Sequence, residues 1–154
     1  MIGAIDIGGT KIAVAAVERS GRVLCSETCA TEPERGFDDA LQRMSAMLRR
    51  CAVRSGEAVE GIGIGCTGPV DPLHGRVGNV PFLPGWEDAE LAGRLAAEFN
   101  VAAFLENDAD AHALAEYDWG SGLGSRRFVM VTVGTGIGGG VILDGELYRG
   151  ADGF

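Results

Sequence analysis

Residues 1–11 read M-I-G-A-I-D-I-G-G-T-K, an apolar run interrupted by Asp6 and followed by a glycine pair, a hydroxyl and a lysine. An aspartate closing an apolar, buried-looking strand is costly unless a cation or a hydrogen-bond donor meets it. Gly8 and Gly9 have no Cβ to hold a ligand away from their amides. Read this way, the stretch is a corner for a metal and a phosphate. A second reading fits the same residues: 2–7 and 12–17 are both strand-like, and Gly8-Gly9 can simply be the turn of a hairpin between them.

Outward from that stretch, residues 2–7, 11–18 and 22–31 read as three strands joined by short turns, an antiparallel meander. At Phe37 the period changes. Phe37, Ala40, Leu41, Met44, Leu48 and Cys51 recur every three or four residues, with Arg43, Arg49 and Arg50 on the other side, which predicts an amphipathic helix ending before Gly56. Residues 59–66, V-E-G-I-G-I-G-C, are short, apolar and dense in glycine, as in a central strand approached closely by a ligand or another backbone. Residues 70–86 are rich in proline and glycine without a sustained period, which predicts a long ordered loop or small flap.

Helical spacing resumes over 88–99 through Leu91, Leu95 and Phe99, with Asn100 as the stop. Residues 101–105 form a further buried strand, closed by Glu106-Asn107-Asp108, and 110–117 read as a helix with an acidic first turn. Either Asn107 or Asp108 is a good N-cap, and capping alone accounts for such a pair. Residues 121–125 read as a Gly-Ser linker and 128–133 as a strand. Both 63–68 and 134–140 contain G-x-G-x-x-G. A dinucleotide fingerprint has to open a helix, whereas Gly68 precedes Pro69 and Gly140 precedes two short strands about Asp144-Gly145. No internal repeat or low-complexity tract is evident.

The 154 residues, 46% hydrophobic and 23% charged, are enough for one cored domain, or one and a piece. A net charge of −9 disfavours nucleic acid and anionic membrane surfaces as partners. There is no run of about 18 apolar residues and no basic-then-apolar leader, so the expectation is a cytoplasmic protein. Cys25, Cys29, Cys51 and Cys66 are read as free thiols. Cys25 and Cys29 face one side of a strand, but neither His74 nor His112 is near enough in sequence to complete a zinc set. Lys11 is the only lysine in the chain.

Strands separated by helices need crossover connections, so the two later strands run parallel to the first and extend the meander into a mixed sheet. Their ends then share one edge, carrying Asp6, Thr67-Gly68 and Asn107-Asp108. Open α/β sheets place ligands beyond such an edge.

Five segments, A-I-D-I-G-G-T-K at 4–11, G-I-G-C-T-G-P-V-D at 63–71, L-P-G-W at 83–86, E-N-D-A at 106–109 and T-V-G-T-G-I-G-G-G at 132–140, carry a family resemblance in order and spacing. The chain resembles the N-terminal half of the ROK family of sugar kinases and sugar-responsive repressors, within the larger sugar kinase, heat-shock protein and actin superfamily. The resemblance implies an α/β, RNase H-like (actin-like ATPase) lobe with a mixed sheet over residues 1–124, holding the sugar site and catalytic base. Residues 125–154 would begin an ATP-binding lobe that is incomplete here.

The activity so implied is ATP-dependent phosphorylation of a hexose or N-acetylated amino sugar by a full-length homodimer, with no nucleic-acid or membrane partner. Asp108 would be the general base. Asn107, Asp108 and the Gly68 backbone would bind the sugar, and Asp6 would position Mg²⁺ through water. Amides of Gly8, Gly9 and Thr10 on one side and of Gly134, Thr135, Gly136 and Gly138 on the other would hold the phosphates of ATP, with Lys11 adding charge.

Two departures from the family pattern stand out. Phe82 occupies a position where the family's flap usually carries an asparagine, which argues against glucose and for a bulkier or modified sugar, or for loss of catalysis; Asn79 is near enough to substitute. The chain also stops at Phe154, before the family's Glu-x-Gly-His sugar contact and its cysteine-rich zinc motif, so it reads as a fragment that is inactive alone. The strand pair over 128–148 is then expected to leave Val141, Leu143 and Leu147 with unpaired edges and uncovered faces, and either to self-associate or to be disordered. The alternative function is a sugar-sensing regulator that binds without phosphorylating. Family repressors carry a helix-turn-helix ahead of this lobe, and the charge here is wrong for DNA, while the retained Asp6 and Asp108 favour catalysis.

Overall fold

A computed structural model describes residues 1–134 and 136–150. Alternating apolar residues produce three antiparallel strands, β1 (Ile2–Ile7), β2 (Lys11–Val17) and β3 (Val23–Ala30). Helix α1 (Phe37–Ser55) follows, then β4 (Gly61–Cys66), a two-stranded ribbon of β5 (Val70–Asp71) and β6 (Arg76–Val77), and α2 (Leu91–Phe99). Next come β7 (Ala102–Asn107), α3 (Asp108–Trp119), β8 (Arg127–Val133), β9 (Ile137–Leu143) and β10 (Glu146–Leu147). The first sheet has the order β3-β2-β1-β4-β7, with β4 parallel to β1 and β7 parallel to β4, as the crossover argument requires.

One face of this sheet is the core. Ile5, Ile7, Ile12, Val14, Ile62, Ile64, Cys66 and Leu105 are buried together with Leu41, Met44 and Leu48 of α1 and Leu91 and Leu95 of α2. Both helices stop where the sequence places their ends, at Gly56 (φ 72°) and Asn100 (φ 53°). Left-handed geometry at these positions closes a helix by freeing the next amide to bond backwards.

Four elements differ from the sequence reading. Residues 70–86 are not all loop: β5 and β6 pair, and Val70, Val77, Val80, Leu83 and Trp86 are buried. Strands of two residues are too short to show a period. Helix α2 starts at Leu91 rather than 88, because Asp88 takes φ 59°, outside the helical region. Helix α3 starts at Asp108 rather than 110. Residues 121–125 are a bonded turn rather than a linker, with the Gly122 amide donating to Glu116 O at 2.8 Å and the Ser121 hydroxyl to Glu116 Oε2 at 2.8 Å.

The second sheet, β10-β9-β8, repeats the antiparallel order of β3-β2-β1, with a glycine-containing turn after the first strand in each case. No sequence repeat announces it. Helix α3 lies between the two sheets. A Cβ on Gly65 of β4 would approach Ala111 Cβ at 3.8 Å, and one on Gly140 of β9 would meet Ala113 Cβ at 2.4 Å. The outer face of the second sheet is bare, at Leu143 as expected but chiefly at residues of β8 and the start of β9. Val141 and Leu147 are half-buried and Leu143 is 41% exposed, whereas Val129, Val131, Val133 and Ile137 are 63–82% exposed.

The close approach at Gly140 yields a stability prediction. Gly140→Ala forces two packed elements apart and should lower unfolding free energy in urea titration by ~1–3 kcal/mol. Gly63→Ala, whose Cβ would meet nothing within 4 Å, should not. Equal midpoints for the two variants would contradict the packing described.

Candidate functional site

Register levels the parallel strands. Asp6 of β1 pairs with Gly65 of β4, which pairs with Glu106 of β7, and the next row is Ile7, Cys66 and Asn107. The Thr67 amide donates to Ile7 O at 2.9 Å, extending the pairing to the last residue. Asp6, Thr67-Gly68 and Asn107-Asp108 therefore meet along one edge, as expected.

Gly65 separates the two aspartates. A Cβ there would lie 3.9 Å from Asp6 Oδ1 and 3.9 Å from Asp108 Cα, so a side chain at 65 would occupy the space between them. Asp6 is exposed, on the face opposite Ile5 and Ile7. Hence the desolvation premise in the sequence reading does not hold for it, and its exposure comes from strand alternation. No described residue pairs with its carboxylate. Below both aspartates the Cys66 thiol is fully buried; burial, reinforced by the charges of Asp108 and Asp6, pushes it up to about 12. That thiol stays protonated and unreactive.

The glycine turn is held from beneath by residues that the sequence reading did not single out. Gly8 donates its amide to Lys11 O at 2.9 Å. The buried Thr31 hydroxyl donates to Gly8 O at 2.6 Å, and the Thr31 amide to Thr10 O at 3.0 Å. Arg43, placed on the solvent side of α1 by periodicity alone, turns back to the carbonyls of Ala30 and Thr31 at 2.5 and 2.6 Å. Thr10 and Lys11 are exposed above this support. Gly9 has a packing reason to be glycine, since a Cβ there would come within 2.7 Å of Phe82 Cβ.

Asn107 is the N-cap of α3, its Oδ1 accepting from the amides of Ala109 (3.0 Å) and Asp110 (3.4 Å). Its Nδ2 faces Gly68, where a Cβ would stand 2.6 Å away. Asp108 is half-buried, with Oδ1 accepting from the Ala109 amide at 2.8 Å. Capping thus uses one oxygen of each side chain and leaves the Asn107 amide and the second Asp108 oxygen free of partners among the described residues. Asn79 is exposed one residue after Gly78, whose amide donates to Pro69 O at 2.9 Å.

From the second sheet, Gly134 and Gly136 form the exposed tip between β8 and β9, with the Gly134 amide donating to Gly136 O at 2.8 Å. Thr135 lies outside the described residues. Gly138 is inside β9, where a Cβ would meet Ala109 Cβ at 2.9 Å, so its glycine serves the packing of β9 against the first turn of α3. Arg149, another residue without a sequence signal, donates its Nε to Glu106 Oε2 at 3.1 Å across 43 positions. Among the described residues no cluster of three or more His, Cys, Asp or Glu side chains is arranged to hold a metal, and no helix is long and apolar enough to cross a membrane.

The ROK family model matches residues 2–154. The chain is 38% identical over 150 residues to a glucokinase of Thermotoga maritima, covering 97% of this chain and 47% of that one. With a glucokinase of Streptomyces coelicolor it shares 34% over 148 residues, 95% and 44% of the two chains. Among solved structures, it superposes with TM-score 0.87 and 34% identity on a ROK family glucokinase from Streptomyces griseus in complex with glucose and AMPPNP, covering 99% of this chain and 47% of that one. A ROK hexokinase from Thermus thermophilus gives TM-score 0.87 and 36% identity, covering 99% and 50%. The chain spans about half the length of the relatives it matches. The fold shared with these neighbours is the actin-like ATPase fold.

Asp110, two residues beyond Asp108, is only 8% exposed. Burial raises its carboxyl above the ordinary value, Glu106 and Asp108 push the same way, and Arg149 opposes them. A raised folded-state value means the native protein holds this proton more tightly than the unfolded chain. The contribution is therefore complete below the ordinary carboxylate value of ~3.9 and is lost as pH rises through the raised one. Asp110→Asn should be more stable than wild type at neutral pH, with the difference closing toward pH 4 in urea titrations. A difference that is constant with pH would contradict this.

Proposed function

The chain belongs to the ROK family, and from that membership we propose that the protein transfers a phosphoryl group from ATP to a hydroxyl of a hexose or N-acetylated amino sugar. The observation that carries the reading is the meeting of Asp6 and Asp108 on either side of Gly65, at an edge with room between them. Asp108, with one oxygen uncommitted, accepts the proton of the attacking hydroxyl. The Asn107 amide, the Gly68 backbone and Asn79 orient the sugar. The Gly8-Gly9-Thr10 turn with Lys11, and the Gly134, Thr135, Gly136 and Gly138 stretch opposite, hold the phosphates. On this reading residues 1–124 are the sugar-binding and catalytic lobe, and 125–154 begin the ATP-binding lobe.

Mg²⁺ is compatible with the donor set. It is usually bound by one or two carboxylates, substrate phosphates and retained water rather than by an all-protein cage, and an exposed Asp6 with no described partner matches that pattern. When bound, the ion neutralises charge on the phosphates. Positioning and charge neutralisation are most of what phosphoryl transfer asks of a protein, and proton acceptance by a placed base contributes typically ~10²–10⁴ in rate.

A coupled assay of ADP release by the full-length protein, across a panel of hexoses and N-acetylhexosamines, tests the proposal. The expected result is sugar-dependent turnover, with kcat of Asp108→Asn lower by ~10²–10⁴ and KM for the sugar within a few-fold. Turnover unchanged in that variant would overturn the assignment of the base. Sugar binding without any ADP release would favour the sugar-sensing alternative.

A further inference from the structure

Phe82 differs from its neighbours in the flap. Val80, Leu83 and Trp86 are 1%, 0% and 0% exposed and anchor the segment, while Phe82 between them is 59% exposed. Its contact with the glycine turn is closest at the root of the side chain and reaches the near edge of the ring: a Cβ on Gly9 would stand 2.7 Å from Phe82 Cβ, 3.3 Å from Cγ and 3.7 Å from Cδ1. A residue that merely pinned the flap to the turn would be covered as Leu83 and Trp86 are. Here more than half of the residue is left as bare, largely apolar surface.

The position of that surface follows from the backbone. The Gly78 amide donates to Pro69 O, next to Gly68, where a Cβ would stand 2.6 Å from the Asn107 amide nitrogen; Phe82 lies against Gly9. Residues 78–82 therefore run along the carboxyl edge of the sheet from Asn107 to the glycine turn. Asn79 and Phe82 are both exposed along that run, one able to hydrogen-bond and the other not.

We infer that Phe82 is a specificity-determining residue of the sugar site put forward above, on which this inference rests: its bare ring packs against an apolar group carried by the sugar, so that N-acetylated hexosamines are bound in preference to the parent hexoses. A hydroxyl turned toward the ring loses water and finds no replacement partner, whereas the methyl of an N-acetyl group gains contact. One apolar group of methylene size in an apolar pocket is worth about 10–200-fold in discrimination, and a ring open on one side stands at the lower end.

The test is calorimetric titration of the full-length protein with glucose, N-acetylglucosamine, mannose and N-acetylmannosamine, for wild type, Phe82→Leu and Phe82→Asn. The expected result is that in at least one pair the N-acetylated sugar binds wild type about tenfold more tightly. Phe82→Leu should keep most of that ratio, and Phe82→Asn should bring it to about one. Because the readout is a ratio within each variant, a general loss of stability does not imitate it. Sugar binding with no N-acetyl preference in wild type, or with the same ratio in Phe82→Asn, overturns the inference and leaves the kinase reading standing. No binding of any of the four sugars overturns both.

Discussion

Parallel pairing of β1 with β4 and of β4 with β7, in one unbroken register, is the constraint on which the rest of the molecule depends. It sets Asp6, Gly65 and Glu106 in one row and Ile7, Cys66 and Asn107 in the next, so segments far apart in sequence end level. Ladder hydrogen bonds fix the level, and alternation decides what arrives there. A slip of one residue would turn Asp6 into the core beside α1 and push Ile5 and Ile7 out. With the core face occupied by those isoleucines, Ile62, Ile64 and Leu105, no such slip is affordable.

Helix α3 carries the second half of the arrangement. Its small residues let backbone approach on two sides, Ala111 toward Gly65 and Ala109 and Ala113 toward Gly138 and Gly140. A helix packed on both sides by alanine has no single apolar stripe, which suits an element lying between two sheets. Its first turn holds Asp108, so the position of that carboxylate is shared between the sheets. The Arg149–Glu106 pair joins the end of the second sheet to the end of β7 at the same place.

Much of this was legible in the sequence because the signals are local. Period-two alternation marks the opening meander, recurrence at three and four residues marks α1, and Gly56 and Asn100 mark two helix ends. Crossover logic orders β1, β4 and β7 without any contact being known. What stayed hidden is non-local. Thr31 and Arg43 support the glycine turn across the sheet and from a helix, and nothing in their neighbours in sequence says so. The glycines at 9 and 138 read as phosphate-loop residues and Gly140 as part of the same glycine-rich stretch, yet each also meets a side chain brought in from elsewhere, Phe82, Ala109 or Ala113. Asp6 reads as buried from its apolar neighbours yet is exposed, because an apolar run does not show which of its faces is covered.

The most direct test is a crystal structure of the full-length protein with a bound hexose or N-acetylhexosamine. One sugar hydroxyl is expected within ~2.6–3.2 Å of the Asp108 carboxylate, the reach expected of a general base, with the ring held between Asn107 and the flap at Asn79 and Phe82. A sugar bound away from this edge, or bound here with Asp108 facing no hydroxyl, would contradict that expectation.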